Sequence, residues 1–307
     1  MRIVFFGTPA FAVPSLEALL AERAAVVGVV TQPDRPQGRS RSTLVAPPVK
    51  QLALHHGIPV LQPERPAGDI FLAGLRHWQP ELGVVVAYGH ILRADTLSIP
   101  TRGMINLHAS LLPRLRGAAP VPWAILRGES ETGVTVQQMD TGMDSGPILH
   151  QSATVIQPGE TGGALLDRLA RLGAEALVET LALMRLGLLR PRDQDPALAT
   201  YAPKFDRTTT RVDWTGNAAD VARRIRAFDP VPGAWSTLER QELKLFGATP
   251  VEGNGIPGTI LALAPVLRVA AGERAVEIQE VQPAGKSRMP AGEWGRGRTD
   301  RAGMVLQ

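Results

Sequence analysis

The chain has 307 residues, no cysteine, 44% hydrophobic and 5% aromatic content, and a formal charge of +4 from 33 basic and 29 acidic residues. That length supplies one large domain or two ordinary ones, and the composition excludes both a disordered chain and, with 31 glycines in no three-residue period, collagen. Zero Cys excludes a disulfide framework, a thiolate nucleophile and Cys-ligated zinc. No apolar run reaches the ~18 residues of a membrane span, and the strand-like start at Met1 to Gly7 has no small-residue cleavage site. A cytoplasmic protein without a membrane partner is expected.

Ile3 to Phe6 is a short apolar run ending at Gly7-Thr8-Pro9, and Val13 to Leu20 places leucines at helical spacing, so the chain opens as strand, tight turn and helix. The alternation returns with a strand at Ala25 to Val30, a helix at Pro47 to His56, a strand at Ile58 to Leu61, a helix around Ile70 to Trp78 and a strand at Leu82 to Ala87. Runs such as Val84-Val85-Val86 lack polar alternation, as parallel strands covered on both faces do. The first half therefore reads as an α/β fold with a doubly wound, mostly parallel sheet. A dinucleotide fold would carry G-x-G-x-x-G in its first turn, whereas Gly7 to Ala12 holds one glycine, which sets aside a nicotinamide dehydrogenase.

Strands follow at Gly133 to Met139 and Pro147 to Ile156, then a long helix from about Thr161 to Leu186. Leu188 to Thr210 loses periodicity and carries Pro191, Pro196 and Pro203, which reads as a linker. Beyond it lie one helix, Ala218 to Phe228, and short β-like runs at Leu243 to Phe246, Gly258 to Ala262, Val266 to Ala270 and Ala275 to Val281, the spacing of a small barrel or sandwich. All six histidines precede this segment, so imidazole chemistry belongs to the first domain and the second reads as a binding module. The expected division is 1–189, a linker at 190–208, and 209–307.

Asn106-Leu107-His108 ends an apolar run, and on a strand the i and i+2 side chains share one face, so Asn106 and His108 can converge on one reacting atom. The C-terminal ends of strands in open α/β sheets are where ligands bind. Asp140-Thr141-Gly142-Met143-Asp144-Ser145-Gly146 follows a later strand; a carboxylate from this loop could hold the imidazole of His108 and favour its charged form.

These segments resemble the folate-dependent formyltransferases. The resemblance rests on Phe6-Gly7-Thr8-Pro9, Thr31-Gln32-Pro33-Asp34-Arg35-Pro36 with Gly38-Arg39, Val85-Val86-Ala87-Tyr88-Gly89, Asn106 through Pro113, Arg116-Gly117-Ala118-Ala119-Pro120, Glu131 through Thr135 and Met139 through Gly146. In the second domain Ile225-Arg226-Ala227-Phe228, Pro257-Gly258-Thr259-Ile260 and Gln282-Pro283-Ala284-Gly285-Lys286 also match, so nearly the whole chain is covered. The closest branch is the one whose amine substrate is initiator methionyl-tRNA.

That resemblance implies a Rossmann-like catalytic domain and an OB-like C-terminal β-barrel that binds tRNA; a monomer is expected. It implies 10-formyltetrahydrofolate as cosubstrate, no metal, and a catalytic triad of Asn106, His108 and Asp144. Asn106 and a charged His108 would stabilise the tetrahedral oxyanion, while Asp144 would keep His108 charged and help take the amine proton. Folate would lie against Tyr88, Gly89, His90, Ile91 and Leu92, the Ser110-Leu111-Leu112-Pro113 turn, and Asp140, Thr141, Gly142 and Met143. The Gln32 to Lys50 stretch, long for a structureless loop, would meet the tRNA acceptor arm through Arg35, Arg39 and Arg41, with Lys286 and Arg288 as further tRNA contacts.

Two departures stand out: Arg39-Ser40-Arg41-Ser42 replaces the Lys-rich pair of many relatives, and Pro122 precedes Trp123 where many have Gln. Two other readings stay open, a nucleotide-sugar amine formyltransferase and a noncatalytic RNA-binding protein. The Arg-bearing loop and the Gln282 to Lys286 motif speak against the first, and intact Asn106, His108 and Asp144 against the second.

Overall fold

The computed structural model describes residues 1–37, 43–296 and 302–307. The chain forms two compact units. The first gathers Met1–Gly117, Gly133–Thr154 and Leu166–Tyr201, and the second gathers Ala118–Thr132, Val155–Leu165 and Ala202–Gln307.

The first unit starts with β1 (Arg2–Gly7), α1 (Val13–Ala21) and β2 (Ala25–Val30), as the apolar runs and helical leucine spacing dictate. A two-stranded antiparallel hairpin follows, β3 (Arg35–Gln37) and β4 (Thr43–Val45), then α2 (Pro48–His55) and β5 (Val60–Leu61). Next come α3 (Asp69–His77), β6 (Leu82–Val86), the short α4 (Ala94–Leu97) and β7 (Met104–His108). After α5 (Pro120–Leu126) the chain continues through β8 (Glu131–Gln138), β9 (Ile148–Val155) and the long α6 (Gly162–Arg185).

Seven strands form one sheet in the order β5-β2-β1-β6-β7-β8-β9. The β5-β2, β2-β1, β1-β6 and β6-β7 pairs are parallel, and β8 runs antiparallel to β7. All five residues of β6 are buried, which is why its sequence shows no polar alternation. The order reverses between β1 and β6. There Thr8 Oγ1 donates to the Tyr88 carbonyl at 3.0 Å and Gln32 Nε2 donates to the same oxygen at 3.1 Å, binding three strand ends together at the edge where α/β sheets hold ligands. Side chains are too bulky at some crossings: a Cβ on Gly28 would stand 2.3 Å from the Trp78 ring.

The second unit adds α7 (Arg207–Thr210), capped by Asp206, and α8 (Ala218–Ala227), capped by Asn217, whose side chain accepts from the Asp220 amide. Its strands are β10 (Ala234–Leu238), β11 (Gln241–Val251), β12 (Ile260–Ala262), β13 (Leu267–Ala270), β14 (Ala275–Pro283) and β15 (Met289–Pro290), followed by α9 (Ala291–Gly295). They pair antiparallel in the order β10-β11-β14-β13-β12, with β15 on β14, an open half-barrel around Val221, Ile225, Phe228, Leu245, Val269 and Ile278. Leu126 of α5 packs against this core.

Two readings change. The Gln32 to Lys50 stretch is not one loop, because β3 and β4 pair within it and Lys50 grips Asp34 at 2.7 Å. Gln62 also donates to Asp34, and these two hydrogen bonds hold the Asp34 carboxyl below its usual range. The 190–208 segment is not a free linker either. Arg192 pairs with Ile148, Thr200 O accepts from the Arg116 amide, and residues up to Tyr201 belong to the first unit.

Candidate active site

The site is built at the end of β7. Leu107 is buried in the sheet, and the alternation of the strand turns Asn106 and His108 together to the opposite face. Across the antiparallel ladder Asn106 pairs with Gln137 and His108 with Thr135. Val134 and Val136 bury one face of β8, while Thr135 and Gln137, 0% and 2% exposed, put buried polar groups on the other. Thr135 Oγ1 donates to the Ser110 carbonyl at 2.6 Å and accepts from the Leu112 amide at 3.1 Å, so it holds the turn that follows β7.

Asp144 reaches this face from the β8-β9 connection. Its Oδ2 accepts from the Gly117 amide at 2.8 Å and lies 3.7 Å from His108 Nδ1. Its Oδ1 accepts from Gln137 Nε2 at 3.1 Å and, at the long distance of 3.5 Å, from Asn106 Nδ2. The structure thus brings Asn106, His108 and Asp144 together. The opposite ring nitrogen, His108 Nε2, lies 2.9 Å from the Leu115 carbonyl; a carbonyl only accepts, so Nε2 carries a proton and fixes the ring. Nδ1 is the nitrogen turned to the carboxylate. At 3.7 Å that contact is an ion-pair distance for a protonated ring, and it is too long for a hydrogen bond.

Backbone strain gathers here. Ala87, Leu115 and Asp144 take left-handed conformations with φ of 47°, 57° and 51°, which L-residues adopt only where their surroundings impose them. The twist at Leu115 aims its carbonyl at His108, and the one at Asp144 places its side chain. The loop is braced internally, since Asp140 Oδ1 accepts from the Gly142 amide and from Ser145 Oγ. Gly146 closes it where a Cβ would stand 1.9 Å from the Gln138 carbonyl.

The residues expected to line the folate cleft divide by burial. Tyr88 is 1% exposed, packed edge-on against Phe6 and His90, with its hydroxyl unpartnered in the core; Leu92 and Leu112 are also core residues. Ser110 spends its hydroxyl on the Arg114 carbonyl. Ile91 and Met143 are exposed, as are Gly89, Asp140, Thr141 and Gly142, while His90, Leu111 and Pro113 are half-buried. The side chains of Tyr88, Ser110, Leu92 and Leu112 are therefore turned away from solvent.

Among the basic residues, Arg35 is exposed and donates to Gln32, while Arg39 and Arg41 lie outside the described residues. Lys286 is exposed in a turn. Arg288 differs from expectation: it pairs with both Asp229 and Glu280 and stacks 4.1 Å over Phe246, so two carboxylates already satisfy its charge. No cluster of three or more metal-ligating side chains occurs among the described residues.

Several site groups carried no functional signature in the sequence. Gln137 is one of several polar residues on β8 and nothing in the sequence sets it apart. Arg116 is buried and donates to Gln194 Oε1 at 2.7 Å; it stands in a motif that carries the resemblance but with no role attached to it, and Gln194 gives no signal.

The formyl transferase family pattern matches residues 1–181, and the formyl transferase C-terminal domain pattern matches 204–299. A methionyl-tRNA formyltransferase of Citrifermentans bemidjiense is 46% identical over 307 residues, 100% of this chain and 96% of the relative. One from Stutzerimonas stutzeri is 50% identical over 291 residues, 93% of this chain and 91% of the relative. The crystal structure of HypX from Aquifex aeolicus in complex with tetrahydrofolic acid shares the fold, with a TM-score of 0.68 at 22% identity over 97% of this chain and 48% of that one.

Proposed function

The chain belongs to the methionyl-tRNA formyltransferase family and is a formyl-transferring enzyme, and we propose that Asn106, His108 and Asp144 carry its reaction. The substrates are 10-formyltetrahydrofolate and initiator methionyl-tRNA, and the setting is translation initiation in the cytoplasm by a monomer. One observation carries the assignment of residues: an amide, an imidazole and an anchored carboxylate converge at the end of β7.

The chemistry follows from that set. The neutral methionine amine uses its lone pair to form a bond to the formyl carbon, and the carbonyl π pair moves to oxygen. Asn106 offers its second amide hydrogen, and His108 its Nδ1 proton, to the oxyanion. The amine gives up one proton toward Asp144, directly or through water. When the oxygen pair returns, the bond to the folate nitrogen breaks, and that nitrogen takes up a proton. Fixing Nε2 on Leu115 leaves only Nδ1 of the imidazole to act, so ring orientation is set before substrate arrives.

Residues 1–189 supply the catalytic side chains and the folate cleft, and 209–307 supply the tRNA-binding surface. Arg35, Arg39 and Arg41 serve the acceptor arm and Lys286 the phosphate backbone. Arg288 is left out of that set because its charge is spent on Asp229 and Glu280.

The test offers the purified chain 10-formyltetrahydrofolate with either charged initiator tRNA or a nucleotide-linked amino sugar. Formylmethionyl-tRNA with no formylated sugar supports the reading. Formylation of the sugar alone, or of neither, overturns it.

A further inference from the structure

Gln194 stands in an irregular stretch between Pro191 and Pro196, yet it is 8% exposed and spends both ends of its amide. Its Oε1 accepts from Arg116 Nε at 3.1 Å and Nη2 at 2.7 Å. An arginine has no acceptor to offer, so this contact fixes which end of the amide is oxygen. The Nε2 end therefore points the other way, to the Asp144 carbonyl at 2.9 Å, the Gly146 carbonyl at 2.7 Å and Gln137 Oε1 at 3.2 Å. Gln137 in turn donates to the Asp144 carboxylate.

Two of the three acceptors are main-chain carbonyls of the constrained β8-β9 connection. Asp144 is a non-glycine residue at φ 51°, and Gly146 packs against the Gln138 carbonyl with no room for a Cβ. Gln194 grips the main chain on both sides of Ser145 and, through Gln137, steadies the carboxylate as well. Arg116 supplies the anchor at its far end, and the Gly117 amide next to it binds the carboxylate directly. The residue thus ties the β8-β9 connection to the Arg116-Gly117 turn with one side chain.

We propose that Gln194 is a positioning residue for formyl transfer, which holds the β8-β9 connection so that the Asp144 carboxylate faces His108 Nδ1 and Asn106. It rests on the role given to Asp144 above. It touches no reacting atom, and its effect passes through Asp144.

Two substitutions separate the ends of the amide. Gln194→Met keeps the length and removes every hydrogen bond. Gln194→Glu keeps an acceptor for Arg116 but has nothing to donate to the two carbonyls. Single-turnover formylation of methionyl-tRNA at saturating 10-formyltetrahydrofolate is measured for each in the full chain, in the native background and with Asp144→Asn. Folate binding reports the folded state, and Gln194→Glu carries the test if Gln194→Met does not fold.

Both variants should bind folate within about twofold of the parent and react on the order of 10 to 100-fold more slowly, as misplacement of a catalytic group by a distant change can cost. In the Asp144→Asn background the same changes should add less than about threefold, because residues acting as a unit lose together. A native rate for Gln194→Glu overturns the proposal, since it would place the value of Gln194 at Arg116. So does a full additional loss on top of Asp144→Asn. If Asp144→Asn itself reacts at the native rate, the reading of Asp144 fails, and the proposal falls with it.

Discussion

Tyr88 carries its hydroxyl into the core of the first unit without a hydrogen-bond partner, and burial pushes its pKa up to about 12. In the unfolded chain the same phenol ionises near pH 10, at about its free value. Between those values the folded state keeps a proton that the unfolded state releases, so stability is intact below pH 10 and falls as pH rises through 12, by about 3 kcal/mol at most. Tyr88→Phe should remove this alkaline loss and leave stability at pH 8 equal or higher, since it deletes an unpaired buried hydroxyl. Denaturant melts from pH 8 to 11 check it. Folate binding should stay within about twofold, and a tenfold loss would show that the hydroxyl meets the ligand after all. At this scale the sequence pointed to Asn106, His108 and Asp144 through their types, their spacing and the family resemblance, and the structure brings the three side chains together. The sequence did not reveal Gln194, nor the partner of Arg116, because both rest on long-range hydrogen bonds with no local pattern. Tyr88 and Ser110 were expected to meet the folate, whereas the inward aim of their side chains depends on packing against Phe6 and on the Arg114 carbonyl.

The β8-β9 connection carries Asp144, which is proposed to supply the reaction's carboxylate. Its closure at Gly146 admits no Cβ, so Gly146→Ala must push the connection off the Gln138 carbonyl and carry Asp144 with it. We expect a stability loss of about 1 to 3 kcal/mol from overpacking. The rate should fall on the order of tenfold or more from misplacement. Thermal melting and single-turnover rates measured together distinguish this from simple unfolding; a native rate would mean the connection tolerates displacement. The Gln32 to Lys50 stretch, whose Arg39 lies outside the described residues, allows a second test. Arg39→Ala should lower kcat/KM for methionyl-tRNA by about tenfold, the value of one charged contact, and leave folate binding unchanged. Equal damage to both substrates, or to neither, contradicts an acceptor-arm role. The long apolar strands were readable from composition alone because both faces of β1 and β6 are covered. The β3-β4 pair was not, since Arg35-Pro36-Gln37 and Thr43-Leu44-Val45 are too short to carry a period.

Across the whole molecule, a net charge of +4 leaves no strong overall field, so tRNA affinity must come from local contacts. Each phosphate neutralised should contribute roughly 0.7 to 0.9 to the slope of log affinity against log salt. Lys286→Ala should lower that slope by about one contact, whereas Arg288→Ala should destabilise the second unit, because it strands Asp229, whose side chain is 5% exposed. Salt titrations of tRNA binding and thermal melts of the two variants check this; the reverse pattern would show Arg288 on phosphate. The sequence suggested two domains in tandem, but Ala118–Thr132 and Val155–Leu165 join the second unit from within the first. No sequence break marks those passages, since α5 has an ordinary apolar pattern and its partner Leu126 gains meaning only against the later core. The proposed reaction depends on one carboxylate, that of Asp144. The most direct test is single-turnover formyl transfer from 10-formyltetrahydrofolate to initiator methionyl-tRNA by the native chain and by Asp144→Asn, which keeps shape and removes charge. Loss of about 100-fold or more in rate with folate and tRNA binding retained is the expected result. A rate within about threefold of native at neutral pH would contradict the assignment of Asp144 and, with it, the reading of this site.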